Sequence, residues 1–587
     1  MEPYANSRNY GSIRVMKRKR AQPVYKEYTI GQIILLPTDL EEMIAPNHLV
    51  RVVNTFVEQM NLTPLERRYK GGGTSSYHPK MMIKVLIYAY TQQIFSSRRI
   101  AKALRESIPF MWLSGNQRPD FHTINRFRGV ILKGIIEEVF LSVLQLLIDG
   151  GYIKLEDYFV DGTKVEANAN RYTYVWAKNT KRYQKRLAEK VAELFQEIDR
   201  LNAEENARYG DKDLEELGED GPVDPQKLSK QVAELNEHLQ AELEEGNSAA
   251  DQQQPHSEQQ SAEESKLLLS GVLEDKLQEV KEALEENPQN KDLARAVKEL
   301  EKDYLPRAKK YEEQERKLGG RNSYSKTDPE ATFMRMKEDH LRNGQLKATY
   351  NIQTGTENQF VVGFSVHQEA GDTSCFIPHL EKTKHRLNRL PNKVTSDAGY
   401  GSEENYAYLA KEKVMNFVKY NTFNKEQAKR YKPDPFKAEN MPYDPQQDRF
   451  ICPGGRNMVY VKTEKKQTKN GFQTERRIYE CEDCQGCLLK EKCSRAVGNR
   501  RLQVSFRLWA YREQAKQNLL SEEGKRLRSK RGVEVESVFG RIKEDWRFRR
   551  FLLRGLEKVT IEWGILCMSH NLAKVWSAKN AIPSVVN

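Results

Sequence analysis

At 587 residues, with 38% hydrophobic and 30% charged side chains, the chain is long enough for several domains around a large core. Seven cysteines are too few for a disulfide scaffold, MEPYANSRNYGSIRVMKRKR holds no apolar leader segment, and the most apolar run, Val130 to Ile148, is broken by Lys133, Glu137 and Glu138. Secreted and membrane-spanning classes are therefore not expected. The formal net charge of +13 is uneven: residues 201–300 hold 10 Lys and Arg against 26 Asp and Glu, leaving +29 on the rest. Such a basic body suits a polyanionic partner, although basic surfaces alone would give the same figure.

In chain order, Lys17-Arg18-Lys19-Arg20 reads as a basic arm, and residues 1 to about 150 read as mainly helical. The run Met81 to Tyr90 follows Pro79, a favoured residue at a helix start. Asp120 can cap a helix with Phe121, Ile124 and Phe127 on one face and His122, Asn125, Arg126 and Arg128 on others. That pattern fits a helix-turn-helix-like DNA reader and also an ordinary bundle helix. Tyr158-Phe159-Val160 predicts a short strand ending at Asp161 with a turn at Gly162.

From about 178 to 320, KRYQKRLAEKVAELFQEIDRLNAE and LEDKLQEVKEALEEN predict long antiparallel helices or coiled coils. Residues 211–224 and 246–261 between them are polar, low-complexity tracts that cannot form a core. No carboxylate in this block sits at a strand end or Gly turn, so its acidic run reads as a solvated face. Strands return at 347–354 and 359–368, joined by a turn at Gly355 and Asn358, with a helix from Asp372 onward. Val394-Thr395-Ser396 then leads to Asp397, followed by the helix SEENYAYLAKE and a strand at 414–421. The order β-(insert)-β-β-α-β-α-β is mixed α/β.

Carboxylates from two strand ends and a helix can together hold two divalent ions, a common way of cutting phosphodiester bonds. Asp161 and Asp397 have the strand-end setting, and the helix follows in RSKRGVEVESVFGRIKEDWRFRRFLLRG. At 100° per residue, Val535, Val538, Phe539 and Ile542 form its apolar stripe. Glu536 and Lys543 then share one flank and Glu534 and Arg541 the other, and periodicity does not choose between the glutamates. Cys481, Cys484, Cys487 and Cys493 have the short steps of a tetrahedral zinc site, with Cys452 as a fifth candidate sulfur. Zinc there would fold a small insert lacking a core of its own.

VDGTKVEANAN, TSDAGYGSEEN and VEVESVFGRIK…FRRFLLRGLEKV…SHNLAK together resemble bacterial insertion-sequence transposases of the DDE class. YHPKMMIKVLIYAY and PDFHTINRFR extend the likeness to the N-terminal part, and DPEATFMRMK and the Cys insert add to it. The resemblance implies an α/β, RNase H-like mixed-sheet catalytic core with an N-terminal helical domain, a long helical insertion and a small Cys-rich insertion. It sets a helical DNA-binding domain at 1–150, the first core strand in 151–178, the helical coiled-coil insertion at 179–325 and the continued core at 326–429. The Cys-rich zinc insert follows at 430–505 and the C-terminal helices at 506–587.

The implied catalytic and metal-binding residues are Asp161, Asp397 and Glu536, holding two Mg²⁺ or Mn²⁺ ions. A Glu-x6-Lys pattern fits Glu536 and Lys543 and breaks the tie with Glu534. The family's Tyr and Arg slots before that glutamate fall on Ser529 and Gly532, leaving Arg528 and Arg531 as the nearest substitutes. Lys543, Arg547, Arg549, Arg550 and Arg554 would clamp phosphates, with Arg126 and Arg128 in the helical front. The implied activity is cut-and-paste transposition, with double-stranded DNA (terminal inverted repeats and target) as partner and a homodimer pairing the ends. A cytoplasmic, nucleoid-associated location without membrane contact goes with it. A stand-alone metal-dependent nuclease would share the acids, and a domesticated DNA-binding protein would keep the helical front alone.

Overall fold

The computed structural model describes residues 39–69, 76–170, 173–209, 269–336, 344–468 and 470–580. The Lys17–Arg20 arm and the tracts 211–224 and 246–261 lie outside them. At the centre is a mixed sheet of β1 (Asp157–Glu166), β2 (Leu346–Glu357), β3 (Phe360–His367), β4 (Lys393–Ser396) and β5 (Met415–Val418). Their spatial order is β3-β2-β1-β4-β5, and Thr332–Arg335 pairs the beginning of β2. β3, β2 and β1 are antiparallel neighbours, while β1, β4 and β5 run parallel.

β1 does not stop at Asp161 as the sequence suggested. Its pairing with β2 continues to Glu166 opposite Thr349, because Thr163 and Val165 alternate inward beyond the fully buried Tyr158-Phe159-Val160. Pairing with β4, however, ends at Phe159 opposite Thr395, so Asp161 faces an open edge on that side. Gly355 is likewise mid-strand, and the turn is made by Asn358 and Gln359 at φ 52° and 62°, left-handed values that suit a two-residue hairpin. Gly355 serves packing instead: a Cβ there would lie 1.9 Å from the Tyr158 ring, which crosses Gly355 and Gly363 to reach His379 Nε2 at 2.9 Å.

One continuous apolar core runs from Ile44 to Val575, taking in the N-terminal helices, the sheet and the helix Leu556–Asn580. That last helix is apolar all round its middle, with Trp563, Ile565, Leu566 and Met568 fully buried. It fits between helices Pro79–Thr91 and Ile136–Asp149 on one side and β3 on the other. Among the described residues no helix is long and apolar enough to cross a membrane.

Two smaller units have cores of their own. Helices Ala177–Tyr209, Leu269–Glu286, Lys291–Glu299 and Leu305–Leu318 bury Leu187, Val191, Phe195, Leu273, Leu277 and Leu300 together, a multi-helix bundle rather than a two-stranded coiled coil. The pair Tyr174–Trp176 and Ser323–Ser325 closes its base. The Cys-rich stretch is a five-stranded antiparallel sheet from Tyr443 to Val504 with Phe450, Met458, Tyr479, Leu502 and Val504 buried, so it does not lack a core as expected.

Candidate active site

Asp161, Asp397 and Glu536 converge on one guanidinium. Arg531 Nη2 lies 2.9 Å from Asp161 Oδ2 and 3.8 Å from Asp397 Oδ2, and its Nη1 lies 3.7 Å from Glu536 Oε1. Asp161 is held by β1 and accepts a hydrogen bond from the Gly162 amide at 2.8 Å. Asp397 leaves the C-terminal end of β4 and caps the turn Ala398–Tyr400, accepting from the Gly399 amide at 2.8 Å. Glu536 comes from the helix Glu522–Gly540, whose first turn is capped by Ser521 and whose buried stripe is Val535, Val538 and Phe539, as the periodicity predicts.

Burial pushes the Asp161 carboxyl up to about 6; Arg531 opposes that shift, and the Asp397 charge adds to it. Arg531 is thus shared among three carboxylates. Glu536 is exposed, at 61% of its side chain, and open to an incoming group. Glu534 points elsewhere: it is buried and accepts from the Gln359 amide at 2.6 Å, bracing the left-handed hairpin turn.

Arg531 takes the position the sequence left vacant, one residue before Gly532, while Arg528 stacks on Phe423 at 5.2 Å. Two expected DNA-contacting residues are turned inward, and these expectations are corrected. Arg128 is buried and bonds Tyr90 Oη at 2.9 Å and the Phe95 carbonyl at 2.7 Å, with Glu562 at 3.9 Å. Lys543 is buried because the stretch Arg541–Asp545 is a π-helical turn, which breaks the 100° step that would have set it beside Glu536. Arg126 and Arg547 are exposed. Arg549 pairs with Glu544, Arg550 bonds the Ala169 carbonyl at 2.8 Å, and Arg554 bonds that of Asn168 at 2.8 Å, tying this segment to the chain after β1.

Lys419 was missed. It follows β5 directly, and burial together with Arg531 and Arg528 holds its ammonium below the usual range against the pull of Asp397 and Glu536. The signal was available, since β5 runs parallel to β4 and their carboxyl ends share an edge.

Cys452, Cys481, Cys484, Cys487 and Cys493 line a cavity of about 20 Å³, room for a single small atom. Amides of Arg456 and Arg500 donate to Cys452 and Cys484 sulfurs at 3.4 Å, and Arg500 Nη1 approaches Cys493 Sγ at 2.9 Å. Cys481 differs: it belongs to the sheet's apolar core, and burial pushes its thiol up to about 12. Among the described residues the one set of three ligand-type groups mutually within 4.8 Å is His367, Glu369 and Cys375. There His367 Nε2 already pairs with Ser365 at 2.6 Å and the Cys375 thiol donates to the Gly371 carbonyl at 3.2 Å.

Three acids, one on the first strand of the mixed sheet, one after its parallel neighbour and one on a late helix, thus meet at one guanidinium. Residues 451–576 match the family described as Transposase DDE domain, and residues 38–129 match Transposase domain (DUF772). No curated protein and no solved structure matches the chain. The chain thus carries a DDE transposase domain and a second transposase domain, which support a DNA transposase function with metal-dependent phosphoryl transfer, and the DDE domain implies an RNase H-like core. Of the three acids only Glu536 lies within a matched stretch.

Proposed function

We propose that Asp161, Asp397 and Glu536 are the catalytic carboxylates, holding two Mg²⁺ or Mn²⁺ ions while DNA ends are cut and joined. The observation that carries this reading is Arg531, a single cation shared by three carboxylates from separate elements. An all-oxygen donor set of three carboxylates fits hard divalent ions. When bound, such ions activate the attacking oxygen and neutralise charge at the leaving one. The protein's own part is to hold the three acids at one edge of the sheet and let Arg531 turn from them to DNA phosphate. Lys419 and Arg528 border the same cleft, and exposed Arg126 and Arg547 extend the basic surface along the duplex.

Cut-and-paste joining at terminal inverted repeats, with two ends paired by a homodimer, completes the reading. Residues 39–150 serve it as a DNA-contacting front whose exposed cations include Arg98, Arg99, Lys102 and Arg126. The decisive test is cleavage of a labelled end duplex by Asp161→Asn and Asp397→Asn. Both should bind DNA and fail to cut, and near-normal cutting by either overturns the assignment.

We also propose that Cys452, Cys484, Cys487 and Cys493, which line one small cavity, would close on a structural zinc, with Cys481 left as a core thiol. The backbone amides aimed at two of these sulfurs suit thiolates. About one zinc per chain is expected. Cys484→Ser should lose it and Cys481→Ala keep it, and metal analysis reporting the reverse rejects this ligand set.

A further inference from the structure

Beneath the three acids lies a chain of polar side chains that the proposed reaction does not use. The register of β1 and β2 sets Gly162, next to Asp161, opposite Gln353. A Cβ on Gly162 would lie 2.5 Å from Gln353 Nε2 and 2.6 Å from Asp372 Oδ1, so both groups rest directly on the backbone that carries Asp161.

Gln353 is fully buried and fully bonded. Its Nε2 donates to Asn351 Oδ1 and to Asp372 Oδ1, each at 3.0 Å, and its Oε1 accepts from Tyr400 Oη at 2.5 Å. Asn351, also fully buried, donates to the same Asp372 oxygen at 2.8 Å. Tyr400 stands in the turn that Asp397 caps. A second tether runs beside the first, with Thr373 Oγ1 donating to the Gly399 carbonyl at 2.5 Å and Asn405 Nδ2 bridging the carbonyls of Thr373 and Tyr400. One carboxylate oxygen thus anchors two amides, one of which continues through a tyrosine to the second acid. Gln353 at the centre of this network has its amide and its carbonyl oxygen both bonded, so each broken link there leaves a buried polar group without a partner and the arrangement resists displacement.

We infer that Asp372 is a positioning residue: through Gln353 and Tyr400 it fixes the spacing of Asp161 and Asp397, and so tunes their grip on divalent ions. This rests on the reading of those two acids as metal ligands. Its action goes through the bonds that Oδ1 accepts, a role an asparagine oxygen can fill.

The test is calorimetric titration of the full-length protein with Mn²⁺ in the absence of DNA, alongside cleavage. Asp372→Ala should weaken Mn²⁺ binding on the order of tenfold, as loss of a ligand-orienting group does, and Asp372→Asn should recover most of that loss. Tyr400→Phe keeps the ring and removes only the link to Gln353, so it should weaken binding in the same direction with the fold intact. Wild-type Mn²⁺ affinity in folded Tyr400→Phe or Asp372→Ala overturns the inference. So does an Asp372→Asn variant as impaired as Asp372→Ala, since that would make Asp372 a ligand itself. Asp161→Asn is run in parallel: if it binds Mn²⁺ and cuts normally, the reading of the acids fails, whereas a dead Asp161→Asn beside a normal Asp372→Ala sinks only the positioning role.

Discussion

The main core and the helical insertion bury apolar surface in unlike ways. In the main core, residues from the helical front, the sheet and the last helix interleave, and charged groups are taken inside with them: Arg128 and Glu562 are both essentially unexposed. In the insertion, a separate apolar cluster lies within Leu187–Ala308 among the described residues, and the charged groups of its ion pairs are mostly surface ones, as in Lys281–Glu301 and Arg295–Glu299. All three proposed catalytic acids sit on elements of the main core and none on the insertion. The contrast teaches that the proposed chemistry rests on long-range assembly, while the insertion has a core of its own and a base formed around the strand pair Tyr174–Trp176 and Ser323–Ser325.

The largest expected effect separates the two regions by activity. Asp161→Asn or Glu536→Gln should lower end cleavage by more than about 100-fold, the upper range for disturbing even a group that only orients a metal ligand. Replacing residues 203–265 by a flexible linker should leave cleavage of a pre-assembled end within a few-fold. Complete inactivity of that linker variant, with the main core folded, would erase the distinction.

Stability should divide in the same way. Removing one partner of the buried Arg128–Glu562 pair, which also holds the Leu552 and Leu553 amides, should cost about 3–5 kcal/mol in urea unfolding. Lys276→Ala in the insertion removes a buried ammonium whose partners, Asp199 and Glu279, are half in water, and about 1 kcal/mol is expected. Equal losses would mean the insertion is as tightly integrated as the core.

Acid sharpens the comparison further. Burial pushes His367 and His570 down to about 3, so the unfolded chain binds protons that the folded core refuses. Their contribution is full above the unfolded value of about 6.5 and is lost as pH falls from there towards 3. The insertion's helices, 177–318, contain no tryptophan and, among their described residues, no histidine; Trp176 stands only at their base, whereas Trp546 and Trp563 are buried in the core. On acidification, tryptophan fluorescence should therefore show unfolding before the insertion's helical circular dichroism is lost; simultaneous loss refutes the separation. The smallest effect concerns Glu534→Gln, which should retain cleavage and cost about 1 kcal/mol through the weakened bond to the Gln359 amide, read as a shift in unfolding midpoint.

Much of this arrangement was legible from local signals. Apolar runs ended by Asp-Gly or Asp-Ala-Gly marked Asp161 and Asp397, and the stripe Val535, Val538, Phe539 and Ile542 set the rotation of the helix. What stayed hidden depended on partners far along the chain. Arg128 reads as a polar-face residue until Glu562 comes to lie beneath it, and Lys543 reads as a neighbour of Glu536 until a π-turn rotates it inward. Periodicity left Glu534 and Glu536 tied because the hairpin turn that receives Glu534 belongs to another element. Asp372 and Gln353 had no motif to announce them; only strand register brings them beneath Gly162.

The place of helix Leu556–Asn580, walled by the helical front on one side and β3 on the other, bears on how the protein is made. Both walls leave the ribosome before the helix between them, which begins roughly 400 residues beyond helix Ile136–Asp149 and roughly 190 beyond β3. At about 5–20 residues per second the front waits roughly 20–80 s and β3 roughly 10–40 s. Through that interval the helical front and half-built sheet expose the surface that the helix will cover, and nascent chains should engage chaperones until it emerges.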